Sequence, residues 1–298
     1  MSRFTLLAAK WISIAAGLAA GAYLLWIGYI YLVSEAVIER HYTLPSSLIA
    51  ASTDSDALAR GRHLMRIAGC YGCHGESLEG RNLKLSRDLP IFSGNLRALA
   101  SQYTDPDFER AIRRGLMPDA RPIWLMPSET YAYMREKDVE DIIAVIRAMP
   151  PQKAPPHKLT FNWRARRAIV AGTLVPNSPE ANEIVMPVDE GPRYEGGRYL
   201  ATIACAQCHG GDLTGQGYAP DLDIALSYSR PQFFRLLREG RSTHGWLPVM
   251  SPLAFQRFRD FKDYEIMALY DYLEARKTLP PYVDPDALLP RRKPAATN

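Results

Sequence analysis

One pattern occurs twice in this chain, and a duplication limits what the chain can fold into more than any other feature it has. From Gly61 the sequence runs GRHLMRIAGCYGCHGESLEG to Gly80, and from Gly197 it runs GRYLATIACAQCHGGDLTG to Gly215. Each copy has Gly-Arg, a His or aromatic residue and Leu, then an apolar stretch, C-x-x-C-H-G and a closing Leu-x-Gly. Downstream, FERAIRRG ending at Gly115 answers FFRLLREG ending at Gly240, and WLMPSETY answers WLPVMSPLAF. The segments DVEDIIAVIRAM and KDYEIMALYDYLEA close the two halves. One fold is used twice.

The spacing of apolar residues is helical. Residues 56–69 place Leu58, Leu64, Ile67 and Ala68 on one face, with Asp54 or Ser55 as the expected cap, and residues 106–114 and 138–149 repeat the three-to-four spacing. No stretch alternates as a strand would, so the expected class is all-α. The 298 residues suffice for about two domains with cores of their own. The expected division is an N-terminal segment at 1–40, a first repeat domain at 41–150, a proline-rich linker with a short helix at 151–190, a second repeat domain at 191–279 and an irregular tail at 280–298. The linker opens on MPPQKAPPHKL, whose prolines forbid helix, and NWRARRAIVAGTL from Asn162 reads as a helix with a basic, solvated face packed between the domains.

The N-terminus points to a membrane. Between Lys10 and Glu35 lie twenty-four uncharged residues, which as a helix extend about 36 Å against a hydrocarbon core of about 30 Å. That is longer than the apolar region of a signal peptide, although Ala20-Gly21-Ala22 keeps cleavage open. Arg3 and Lys10 precede the span and Glu35 and Glu39 follow it, so the positive-inside bias leaves the tail in the cytoplasm and the rest outside. A formal net charge of +4 is too close to neutral to argue for nucleic acid.

All four cysteines belong to the two C-x-x-C pairs, Cys70 with Cys73 and Cys205 with Cys208, and a histidine follows each, His74 and His209. Zinc sites assembled from such pairs separate them by about 12 to 20 residues, far less than here, and leave the repeated histidine unexplained. A thioredoxin-type dithiol needs a preceding strand, and a local disulfide does not call for histidine. Covalent haem accounts for all three residues: two thiols add to the two vinyl groups and the adjacent imidazole lies under the iron. The expected cofactors are two covalently bound haem c groups.

Each half resembles a class I cytochrome c domain, and the whole resembles the membrane-anchored diheme c-type cytochromes of bacteria. The resemblance covers about residues 56–150 and 192–278 and rests on C-Y-G-C-H, C-A-Q-C-H, the Met-containing loops and the closing helices. It implies that the helix before each haem motif crosses the helix that closes the domain, with haem between them and the methionine loop, and that haem is attached outside the cytoplasm. The segments GRHL, CHG and MPSETY are similar to cytochrome subunits of bacterial membrane dehydrogenases.

The repeat selects the sixth ligand. Met126 lies eleven residues past Gly115 and Met250 ten past Gly240, whereas Met117 faces Ser242 in the other copy. Met126 and Met250 are therefore the expected distal ligands and His74 and His209 the proximal ones, with Met117 and His244 as rivals. His63 and His157 read as surface or packing residues, Trp124 and Trp246 as packing or haem-edge groups, and Arg81, Arg97 and Arg121 as options for the propionates.

His/Met ligation fills all six positions on iron and raises its potential, so the expected function is outer-sphere electron transfer rather than catalysis. The expected partners are the lipid bilayer and a respiratory or photosynthetic membrane complex: a dehydrogenase, a quinol-oxidising complex or a terminal oxidase. A diheme peroxidase is the alternative enzyme and needs one open haem. The diheme subunit of a terminal oxidase is a further alternative and usually has a second span. A zinc-dependent binding protein is the third class. The expected location is the cytoplasmic membrane, single-pass, with the haem domains in the periplasm.

Overall fold

The uncharged N-terminal stretch contains nothing that breaks a helix before Pro45. In the computed structural model, which describes residues 3–83, 91–153 and 159–279, it forms α1, Arg3–Ile38, longer than the uncharged run at both ends. By length and composition α1 can cross a membrane. The tail at 280–298, His157 and the linker prolines Pro155 and Pro156 lie outside the described residues.

The first half contains α2 (Ala57–Ile67), α3 (Cys70–His74), α4 (Leu96–Leu99), α5 (Asp105–Glu109), α6 (Ser128–Tyr131) and α7 (Glu136–Ala148). After α8 (Trp163–Val170) the second half contains α9 (Glu195–Ala204), α10 (Ala206–His209), α11 (Arg230–Glu239), α12 (Met250–Gln256) and α13 (Asp263–Thr278). The predicted all-α class is correct. Two small antiparallel pairs accompany the helices, β1 (Arg81–Leu83) with β2 (Ile91–Ser93) and β3 (Arg241–Ser242) with β4 (Gly245–Trp246). Strands of two or three residues are too short to leave an alternating pattern in sequence.

The repeats start and stop their helices by the same chemistry. Thr104 caps α5, exchanging bonds with Asp107, and at α11 the Gln232 side chain accepts from the Ser229 N–H at 2.8 Å. A π-helical turn, Arg110–Arg114, extends α5, and both segments end on a glycine in the left-handed region, Gly115 and Gly240 at φ 60° and 68°. The expected cap of α2 needs correction. Asp56 occupies that place without a side-chain bond, because the Asp54 carboxylate is taken by Arg60 and Lys137.

In each half a glycine lets two helices touch. A Cβ on Gly61 of α2 would overlap the Asp141 carbonyl of α7, and one on Gly197 of α9 would overlap the Ala268 carbonyl of α13. These are the two crossings that the resemblance implied. One continuous cluster of buried apolar side chains draws on both halves, from Met65, Ile67 and Ile143 to Ile203, Ile266 and Tyr272.

The basic helix α8 packs against α1 instead of lying between the halves. Arg166 pairs with Glu35 at 2.8 Å, donates to the Ser34 hydroxyl at 2.8 Å and lies over the Tyr31 ring, while Trp163 meets Trp26 edge-on. Ile30 and Ser34 are buried by this contact. The uniformly exposed part of α1 therefore runs from Ala9 to Trp26, about 27 Å of helix. Arg121 fastens the segment after α1 to the first half through Glu39 at 3.0 Å.

Candidate functional site

Each C-x-x-C-H forms a single helical turn at the end of a longer helix. α2 ends at Ile67, Gly69 turns the chain at φ 86°, and α3 then carries Cys70, Cys73 and His74; α9 leads through Cys205 into α10, which carries Cys208 and His209. Three residues apart on a helical turn, the two thiols of each pair lie on one face.

The turns are fixed by matching bonds. The Gly80 N–H donates to the His74 carbonyl and the Gly215 N–H to the His209 carbonyl, both at 2.8 Å. Leu78 and Leu213 both adopt positive φ, 58° and 65°, and their carbonyls accept from Leu96 and Leu222. The loops so closed bring a backbone carbonyl to each imidazole: His74 Nδ1 lies 2.8 Å from the Gly94 carbonyl and His209 Nδ1 lies 2.7 Å from that of Pro220. With Nδ1–H donated there, Nε2 is left as the ligating nitrogen, the usual outer-shell device for orienting a metal-binding histidine. Burial lowers the pKa of both rings and outweighs the carbonyl bonds, which keeps the imidazoles neutral and their lone pairs available.

The four thiols are unpaired. Burial pushes Cys70 and Cys205 up to about 12 and raises Cys73 as well, with Arg257 opposing each shift. A redox dithiol depends on a depressed thiol pKa, so these thiols have the opposite of that character. Among the described residues no three His, Cys, Asp or Glu side chains converge as a zinc site requires. Two neighbouring thiols with a neutral, oriented imidazole fit a covalently held haem.

Met126 and Met250 both lie half-buried against the core cluster. Met126 follows Leu125, whose φ of 70° makes a tight corner, and Met250 opens α12. Met117 sits in a turn, its N–H bonded to the Arg121 carbonyl at 2.9 Å. Exposed His244 contacts the Thr243 hydroxyl at 3.0 Å. Trp124 is buried edge-on against Phe161, and Trp246 is 57% exposed. Of the arginines considered for propionates, Arg97 donates to the Pro150 carbonyl and Arg121 is shared by Asp119 and Glu39, while Arg81 donates to the Gly72 carbonyl inside the attachment turn.

Sequence reading missed three contributors. Ser93 donates to the Cys73 carbonyl at 2.5 Å and Tyr131 to the Ala68 carbonyl at 2.7 Å, and Arg257 donates to the Ile67 and Ile203 carbonyls at the ends of the helices that lead into the two turns. Serine and tyrosine at these places follow no motif, and Arg257 lies beyond the stretch where WLMPSETY and WLPVMSPLAF can be matched.

No protein-family model matches the chain. It is 27% identical over 170 residues to a protein of Cereibacter sphaeroides described as "Diheme cytochrome c-type". That match covers 51% of this chain and 56% of the relative, so the chain spans about half the length of the curated relative it matches. The resemblance to diheme c-type cytochromes seen in the motifs is thus also found across a longer stretch of sequence.

Proposed function

We propose that the chain is a membrane-anchored diheme cytochrome c that carries electrons, one per haem, between a membrane redox complex and its acceptor. Cys70 with Cys73 and Cys205 with Cys208 attach two haems through thioether bonds. His74 and His209 ligate the irons through Nε2, and Met126 and Met250 complete the coordination. The first haem domain lies within 41–150 and the second within 191–279. The observation that carries this reading is the doubled C-x-x-C-H turn, in which each histidine has its Nδ1–H held by a backbone carbonyl.

Haem so ligated supplies a reversible one-electron couple, and its potential is raised by the thioether ligand. What the chain contributes is position: backbone carbonyls orient the two imidazoles, and the shared core keeps the two attachment turns together. The anchor α1 is placed in the cytoplasmic membrane with Arg3 and Lys10 inside and everything after α1 in the periplasm, the side on which haem c is attached. Anchoring raises the effective concentration of the cytochrome near other complexes in that membrane, a dehydrogenase, a quinol-oxidising complex or a terminal oxidase.

The test is a visible spectrum of protein produced with haem-attachment machinery, recorded before and after peroxide and carbon monoxide. Two covalent low-spin haems that react with neither support the carrier. A high-spin haem that reacts with peroxide replaces it with the peroxidase.

A further inference from the structure

We propose that Arg257 is a positioning residue shared by both haem-attachment turns, a buried guanidinium that fixes them against each other and holds up the reduction potentials of both haems. The inference rests on the diheme reading above.

Arg257 follows directly after α12, the helix that opens with Met250, and its side chain leaves the second half to enter the first. Nε donates to the Ile67 carbonyl at 2.5 Å, and Nη2 donates to those of Ala68 at 2.9 Å and Ile203 at 3.2 Å. Nη1 reaches the Gln207 side-chain oxygen at 3.4 Å. Ile67 and Ala68 end the helix that leads into Cys70, Ile203 holds the same place ahead of Cys205, and Gln207 lies between Cys205 and Cys208. One side chain thus touches equivalent points of both repeats. The fit is close, since a Cβ on Gly69 would lie 3.0 Å from the guanidinium carbon.

The partners of Arg257 are neutral oxygens. The carbonyls at the C-terminal ends of α2 and α9 carry the negative ends of the helix dipoles and solvate a cation well without cancelling its charge. Among the described residues Arg257 forms no ion pair with a carboxylate. A full positive charge therefore remains in a buried place, where screening is weak.

Reduction of a haem adds one electron and takes iron from ferric to ferrous, removing one positive charge beside this cation. A fixed cation therefore favours the reduced state. Because Arg257 stands next to both attachment turns, its loss affects both couples. Lysine keeps the charge but lacks the planar fork that spans three carbonyls.

The experiment is a spectroelectrochemical titration of the full-length, haem-loaded protein in detergent, comparing wild type, Arg257→Gln and Arg257→Lys, with hydrogen-exchange mass spectrometry on the same samples. Arg257→Gln is expected to lower the reduction equilibrium constant of each haem at least tenfold, which is 59 mV for a one-electron couple. Arg257→Lys is expected to recover most of that shift. Amide exchange is expected to rise in both Cys70–His74 and Cys205–His209 in either variant. Unchanged potentials, a shift confined to one haem, or a lysine variant as low as the glutamine one would overturn the proposal. Should Arg257→Gln not fold, Arg257→Lys carries the test through exchange: a rise in both turns supports the bridge, and a rise in neither or in the second alone rejects it. A wild-type chain without covalent haem would instead defeat the diheme reading, and exchange in the haem-free chain would still decide the bridge by the same criterion.

Discussion

His63 of α2 meets Glu265 of α13 across the two halves, Nε2 to Oε1 at 2.8 Å, and Tyr199 of α9 meets Asp138 of α7, hydroxyl to carboxylate at 2.5 Å. These are the same contact made twice. His63 and Tyr199 each stand two residues after a crossing glycine, and Asp138 and Glu265 each stand two residues after the first residue of a closing helix. The halves are therefore related by an approximate two-fold axis within one chain, so that what α2 offers α13, α9 offers α7. Arg135 reinforces the second contact, lying 4.4 Å over the Tyr199 ring and pairing with Glu195 at 2.8 Å. Histidine and tyrosine replace one another here because each has a polar tip that can reach a carboxylate.

Removing one of these tips should weaken the association of the halves. Tyr199→Phe keeps the ring and loses a donor to a charged acceptor, a bond worth about 1.5–3 kcal/mol when partly buried. The expected result is a lower thermal midpoint in detergent, with a similar loss for His63→Ala. The two pairs share no partner, so the effects should add in the double variant. A Tyr199→Phe protein as stable as the wild type would show that the contact contributes nothing.

The crossing glycines admit a sharper test, because a neighbour serves as the control. Gly61→Ala and Gly197→Ala each place a methyl group against a carbonyl of the closing helix, and overpacking of this kind costs about 1–3 kcal/mol. Gly196, one residue away in α9, has nothing within 4 Å of its Cβ position. Gly196→Ala should be neutral or stabilising by about 0.5–1 kcal/mol, since alanine favours helix. Equal behaviour of Gly196→Ala and Gly197→Ala in thermal unfolding would refute the close crossing.

The repeat made most of the fold legible. C-x-x-C-H, the glycine before each crossing and the glycine that ends α5 and α11 are local instructions, and Gly61, Gly115, Gly197 and Gly240 stand where the matched copies put them. What sequence could not supply was contact between distant residues. The Nδ1 partners of His74 and His209 are backbone carbonyls, which have no residue signature, and Arg257 has no counterpart in the first copy. The docking of α8 on α1 was illegible for the same reason: basic residues at 164, 166 and 167 look like a solvated face until Glu35 and Tyr31 are brought beside Arg166.

Acid should loosen the first half through Asp141. This carboxyl is buried; burial pushes its pKa up, but bonds from Arg60 at 2.6 Å and from Ser52, with Lys137 close by at 3.4 Å, hold it below the usual carboxylate range. A group whose folded pKa is depressed adds stability that is complete above the unfolded value, about 3.9, and lost as pH falls through the folded value. Stability should therefore fall below about pH 4, and Asp141→Asn should be less stable at neutral pH while losing less on acidification. Thermal midpoints measured from pH 2 to 6 check this. Parallel curves for the variant and the wild type would remove Asp141 from the acid response.

The sixth ligand is the last point that a substitution can decide. Met126 and Met250 stand at matched places in the two copies and both lean on the core, whereas Met117 lies in a turn closed by the bond from its N–H to the Arg121 carbonyl. A thioether bond to iron keeps carbon monoxide out, so removing one should open one haem and leave the other closed. Met126→Ala and Met250→Ala are each expected to bind one equivalent of carbon monoxide per chain in the reduced state and to lower the potential of the affected haem. Met117→Ala is expected to bind none. Carbon monoxide titrations followed in the visible spectrum distinguish these outcomes, and binding by Met117→Ala but not Met126→Ala would move the first ligand to Met117. In the double variant Met126→Ala/Met250→Ala two equivalents should bind, because each loop serves its own half.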